Sequence, residues 1–125
     1  MRILGFSVMW NKLESLEFTT FRLPRKDIDW HIGERVQVVY HPRSKDRKPL
    51  FLADIINVEP RSFDPAIAPV ITYNEALADG FPNGTIGMRA WFEKSHGHFN
   101  ASTIFNKLTL RRVYRPPLEA QGVNK

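Results

Sequence analysis

The stretch "RVQVVYHPRSKDRKPLFLADIINVE" constrains what this chain folds into more than any other. In its first part Val36, Val38 and Tyr40 alternate with Arg35, Gln37 and Val39. A period of two sends successive side chains to opposite faces, which is the signature of a half-buried β-strand. From Pro49 to Glu59 runs a second, longer strand, apolar on both faces in its first half. The link between them, "HPRSKDRKP", is basic, is bracketed by Pro42 and Pro49, and reads as a hairpin loop. The chain is therefore committed to a β-sheet.

The remaining elements follow from shorter signals. "RILGFSV" (Arg2 to Val8) is an apolar opening strand, and "FTTFR" is rich in the β-branched and aromatic residues that strands favour. Between them "WNKLESLE" reads as one or two helical turns. Asn11 is its N-cap, Glu14 follows three residues later, and Trp10, Leu13 and Leu16 share one buried side. "LPRKDIDWHIGE" and "PRSFDPAIAP" are irregular connections, the first because Pro24 lacks an N–H and Gly33 suits a turn. Thr72 and Glu75 form a capping box, and Gly80 and Pro82 end the short helix that it starts. A second helix runs from a Thr85 cap to Gly97, with Met88, Trp91 and Phe92 on one face. "KLTLRRVY" (Lys107 to Tyr114) is the last strand, stopped by Pro116 and Pro117.

About five strands with two or three short helices, not regularly alternated, argue against a doubly wound sheet. The expected fold is α+β, a small mixed β-barrel with helical inserts. One domain covers residues 1–115, and residues 116–125 form a polar, flexible tail.

Composition narrows the function classes. The 42% hydrophobic content supports one real core in 125 residues. No apolar run approaches the roughly 18 residues of a membrane span. The N-terminal run meets Asn11, Lys12 and Glu14 without a small-residue cleavage site, which argues against a signal peptide. With no cysteine, disulfides, thiolate zinc sites and cysteine nucleophiles are excluded, and a reducing cytoplasm is the expected compartment. A net charge of +5 and a pI near 9.8 favour an anionic partner, nucleic acid being the commonest.

Several residues carry chemistry. In "SLEFTTFR", Phe18, Thr20 and Arg22 share one strand face, giving an aromatic surface, a hydroxyl and a guanidinium fork in a row. Such a set suits a phosphate or a base edge; the alternative is a barrel-edge pair of Arg22 with Glu17 or Asp79. Asp79 ends a helix where its charge opposes the macrodipole, pointing to function or to an Asx turn. Lys12 offers an ammonium about one helical turn before Glu17. The loop cations Arg43, Lys45, Arg47 and Lys48 face a single Asp46 and are either merely solvated or a phosphate track. Lys107, Arg111, Arg112 and Arg115 extend it only in part, since Lys107 and Arg111 share a face that Arg112 does not. Trp30, in a polar loop, is a stacking candidate or a lid on the core, whereas Trp91 and Phe92 belong to the core. His96 and His98 form an H-x-H without a third ligand, so no metal site is expected. No cofactor motif, phosphate-cradling glycine loop, G-x-S-x-G elbow or triad is present.

The order of these features resembles the ASCH family of PUA-like barrels. The family's G-x-K-x-x-x-x-R motif falls on Ser15, Glu17 and Arg22, so the arginine is kept and the glycine and lysine are not. "HIGERVQVV" is similar to its Gly–acid turn before a central strand, and "EALADGF" to its short helix ending in acid–Gly–Phe. The resemblance spans most of residues 2–114 and implies a PUA-like barrel that binds RNA or a modified nucleoside. One bacterial group in the family is an amidohydrolase acting on acetylcytidine through a lysine, a threonine and a glutamate. Those positions fall on Glu17, Thr20 and Asp79, and a carboxylate at the lysine position would repel a developing oxyanion. The leading expectation is a binding module with its cleft between "FTTFR" and "EALADGF". The alternatives are a hydrolase on an acylated nucleoside or single-stranded RNA, with Thr20, Asp79 and Lys12 as its catalytic set, and a protein-interaction domain without pocket chemistry.

Overall fold

A computed structural model describes residues 1–96 and 102–113. Five strands form one sheet: β1 (Arg2–Phe6), β2 (Glu17–Arg22), β3 (Arg35–Tyr40), β4 (Lys48–Arg61) and β5 (Phe105–Arg112). Their spatial order is β1-β3-β4-β5-β2, with β1 and β3 parallel and the other pairs antiparallel. Two helices, α1 (Tyr73–Asp79) and α2 (Gly84–His96), lie between β4 and β5 in the chain. The expected hairpin is β3–β4, in register from Arg35 against Asp54 to Tyr40 against Lys48, with a bulge at Val38/Val39. The 14-residue β4 is longer than its apolar core suggests because its second half pairs with β5, Ala53 to Arg61 against Arg112 to Phe105.

The sheet is not closed: among the described residues no ladder joins the outer strands β1 and β2. It is nevertheless strongly curled. Five flat strands would put β1 and β2 about 19 Å apart. Instead the rings of Phe6 on β1 and Phe18 on β2 meet edge to face, their centroids 6.3 Å apart. Where a barrel is expected from the sequence, the protein has an α+β fold around a curled, open mixed sheet.

Strand β2 divides two apolar clusters. Phe18 and Phe21 are three residues apart and so face opposite ways. Phe18 joins Phe6, Val36, Ile55 and Leu110 inside the curl, while Phe21 joins Ile71, Met88, Phe92 and Phe105 under the helices. Trp10 packs against both clusters.

Local signals hold unevenly. The capping box is formed as read: Thr72 accepts from the Glu75 N–H, and the Glu75 carboxylate accepts from the Thr72 N–H. Gly80, at φ 116°, takes the left-handed conformation and donates to the carbonyls of Ala76 and Leu77, ending α1. Helix α2 begins at Gly84, one residue before the expected Thr85 cap, and Gly97 lies outside the described residues. "WNKLESLE" yields a single 3-10 turn, Asn11–Glu14, with Trp10 rather than Asn11 at the cap position. The backbone is extended again at Ser15, so Leu13 is buried but Leu16 is 61% exposed and leaves the apolar stripe expected of it. β1 stops at Phe6, short of Val8, and β5 starts at Phe105, two residues before Lys107. Tyr114, Arg115 and the tail 116–125 lie outside the described residues. No helix among the described residues is long and apolar enough to cross a membrane.

Candidate functional site

The gap between β1 and β2 opens into a cleft of about 710 Å³. Its polar part is made by Lys12, Thr20, Arg22 and Asp79, its walls include Phe6, Trp10, Phe81 and Trp91, and Arg25, Trp30 and Arg43 also line it. This volume falls within the range of small-molecule sites, which combine apolar walls with a few convergent polar groups.

Three elements deliver the four polar residues. Lys12 stands on the 3-10 turn, Thr20 and Arg22 on the same face of β2, and Asp79 on the last turn of α1. Gly80 is what lets α1 end so close to the turn. A Cβ there would lie 2.7 Å from the Trp10 ring, and its φ of 116° disfavours any other residue. The placement of Asp79 against the helix macrodipole, noted in the sequence, is offset by the ammonium it meets.

The Lys12 Nζ donates to the Asp79 Oδ1 and, at 2.8 Å, to the Thr19 carbonyl. Both side chains of this ion pair are almost wholly buried, 8% and 6% exposed. Burial pushes the Lys12 pKa down; the charge and hydrogen bond of Asp79 oppose that push, Arg22 adds to it, and the net shift is downward. Burial likewise raises the Asp79 pKa above its ordinary value, against the pull of Lys12 and Arg22. Burial thus drives both partners toward their neutral forms, and their mutual charge and hydrogen bond oppose it.

Arg22 is held differently. Its Nε donates to the Thr20 Oγ1 at 3.2 Å, and its guanidinium lies 4.5 Å from the Phe6 ring centroid. Burial lowers its pKa to about 10, with the Asp79 charge opposing. No carboxylate oxygen lies within ion-pairing distance of it among the described residues. Neither the Asp79 pair nor the Glu17 pair that the spacing allows is formed.

The four residues expected at a cleft between "FTTFR" and "EALADGF", namely Lys12, Thr20, Arg22 and Asp79, thus meet in one place. Trp30 lines the cleft as well, but its ring is 7% exposed and belongs to the core. The guanidinium carbons of Arg2 and Arg25 lie 4.5 and 5.5 Å from its centroid, so it is lid and wall together. Arg43 lines the cleft, whereas Lys45, Arg47 and Lys48 are exposed and do not. Phe18 has the face expected of it but is buried against Phe6 and Phe51, so it supports the platform rather than offering a stacking surface. Trp91 and Phe92, expected wholly within the core, both line the cleft; Trp91 packs on Trp10 at 5.6 Å, and Phe92 is buried as expected.

Glu17 stands apart from the cleft. It shares a strand face with Thr19 and Phe21 rather than with Thr20, and its carboxylate accepts from Arg111 at 3.0 Å on the exposed surface. Position 17 therefore faces away, and the ammonium in the cleft comes from Lys12. Phe6, Trp10, Phe81 and Arg25 also line the cleft, and no local pattern in the sequence singles them out as site residues. Among the described residues no group of three His, Asp or Glu side chains could hold a metal. His98 and the side chain of His96 lie outside them. No protein-family model, curated protein or solved structure matches this chain, so geometry and chemistry must carry the functional reading.

Proposed function

We propose that the cleft binds a nucleobase-bearing ligand, RNA or a modified nucleoside, in a PUA-like domain of the ASCH type. The observation that carries this reading is the convergence of Lys12, Thr20, Arg22 and Asp79 with aromatic walls in one basic cleft. Aromatic rings offer stacking surfaces to a base. The threonine hydroxyl, the guanidinium and the carboxylate supply both donors and acceptors for its edge. The lining carries Lys12, Arg22, Arg25 and Arg43 against Asp79, an excess that favours a partner bearing phosphates.

All three tryptophans of the chain, Trp10, Trp30 and Trp91, line the cleft, so intrinsic fluorescence reports its occupation. Titration with a panel of plain and modified nucleosides and short single-stranded RNAs is expected to give saturable quenching for base-bearing ligands. A flat response across the panel, confirmed by calorimetry, would overturn the reading.

A second reading, hydrolysis of an acylated nucleoside amide, is favoured by one specific observation: Lys12 and Asp79 form a buried acid–base pair in a cleft that Thr20 also lines. One member of the pair would take a proton from water as the hydroxide attacks the acyl carbon. The same proton would pass to the departing amide nitrogen, leaving a carboxylic acid and an amine. Turnover of acylated nucleosides that is lost in Asp79→Asn supports the enzyme. Saturable binding with no turnover removes it.

A further inference from the structure

We infer that Arg22 and Thr20 form an oxyanion site in the cleft, and that the ligand enters with a phosphate monoester against them. The inference rests on the cleft being the ligand site but not on the ligand carrying a base.

The argument is one of unspent donors and uncompensated charge. A lysine has three N–H donors, and Lys12 spends two, on Asp79 and on the Thr19 carbonyl. A guanidinium has five, and among the described residues Arg22 spends only its Nε, on Thr20. The Thr20 oxygen accepts that bond, and its own hydroxyl proton goes to no acceptor among the described residues. Thr20 is 4% exposed, so bulk water is a poor partner for it. These donors surround a cavity lined by the same residues, and the matching ligand group is rich in acceptors.

Charge gives the same answer independently. Lys12 and Asp79 neutralise each other, which leaves the Arg22 cation without an anion within ion-pairing distance among the described residues. Elsewhere Arg2, Arg35, Arg61 and Arg111 each hold a carboxylate. A half-buried cation without a counter-charge is unfavourable, and an incoming anion relieves it. Phe6 packs against the guanidinium, and a guanidinium edge matches two oxygens of a phosphate side by side. The aromatic walls then take the organic part of the ligand.

The test compares inorganic phosphate, a nucleoside, its monophosphate, and short RNAs with and without a terminal phosphate. Inorganic phosphate is expected to raise the melting temperature of the wild-type protein. The monophosphate is expected to bind about tenfold tighter than the nucleoside, a typical gain for one charge-assisted contact. In Arg22→Gln the preference for the phosphorylated form should vanish; in Arg22→Lys, which keeps charge but not the fork, it should be reduced. Equal affinity for nucleoside and monophosphate, or a preference that survives in Arg22→Gln, overturns the inference. Tighter binding of end-phosphorylated RNA than of the mononucleotide supports it with a strand end as the source, and the reverse order supports it with a free nucleotide. Binding of inorganic phosphate and of the monophosphate equally well, with no response to the unphosphorylated nucleoside or RNA, would leave the oxyanion site standing and refute the nucleoside reading.

Discussion

Two charged clusters of this protein look alike and behave differently. On the outer face of the sheet, Arg61 of β4 and Lys107 of β5 face Glu59 of β4 and Glu75 of α1. That cluster is balanced, two cations to two anions, and Glu75 also closes the capping box, so it ties the start of α1 to the sheet. At the other end of the same helix, Asp79 meets Lys12 while Arg22 stands nearby with no carboxylate of its own. Its charges do not cancel, its donors are not spent, and it borders a cavity. A balanced cluster fastens elements together, whereas an unbalanced one beside a cavity is where the proposed ligand would add its charge.

Removing a partner from the buried pair should give the largest stability effect. Lys12→Met leaves the Asp79 carboxylate buried and unpaired, an expected loss of about 3–5 kcal/mol. The double variant Lys12→Met/Asp79→Asn should recover most of that loss. Denaturant unfolding of both proteins measures it, and two equal losses would show that the ion pair is not what the single variant breaks.

The next test sets one arginine from each cluster against the other. Arg61→Met removes a cation whose Glu75 partner is 13% exposed, and it should cost about 1–3 kcal/mol. Arg22→Met removes a cation that repels Lys12 and has no anion, so its stability should stay within about 1 kcal/mol of wild type. The same unfolding experiment reads both. A larger loss at Arg22 than at Arg61 would break the distinction between fastening and site.

The two carboxylates of α1 should also titrate in opposite directions. Burial pushes Glu75 up, but the Lys107 hydrogen bond, the Thr72 N–H and the charges of Lys107 and Arg61 outweigh it, leaving a pKa below the ordinary 4.5. The unfolded chain then binds more protons, so this stabilisation is present above about pH 4.5 and is lost as pH falls through the folded value. Asp79 is raised above 3.8, so the folded state binds more protons and its contribution weakens as pH rises through the raised value. Carbon-detected NMR titration of the two carboxyl groups should show one midpoint on each side of the ordinary values. Two midpoints shifted the same way would contradict the comparison.

How far these clusters could be read from the sequence follows from the range of the forces involved. The β3–β4 hairpin and the start of α1 are legible because alternation, bracketing prolines and a capping box act within a few residues. The Lys12–Asp79 pair spans 67 positions and depends on Gly80 admitting the Trp10 ring, which no local pattern encodes. Trp91 shows the related limit. Its spacing from Met88 assigns it to the inward face of α2, but not whether that face meets packed side chains or a cavity. The 3-10 turn was overestimated because a repeat of three describes it as well as the longer helix that would bury Leu16.

The smallest expected effect concerns Glu17, where a strand's two faces separate resemblance from geometry. Glu17 stands where the motif that the chain resembles would carry a lysine, yet β2 turns it away from Thr20 and toward Arg111, with the two side chains 49% and 59% exposed. Glu17→Lys replaces an exposed ion pair by a repulsion that solvent screens, so stability should fall by no more than about 1 kcal/mol. Ligand affinity should not change, because the new ammonium lies on the other face of the strand from Arg22. A gain in affinity or turnover in Glu17→Lys would mean that β2 presents its other face to the ligand. The cleft ammonium would then belong to position 17, and Lys12 would be only the counter-ion of Asp79.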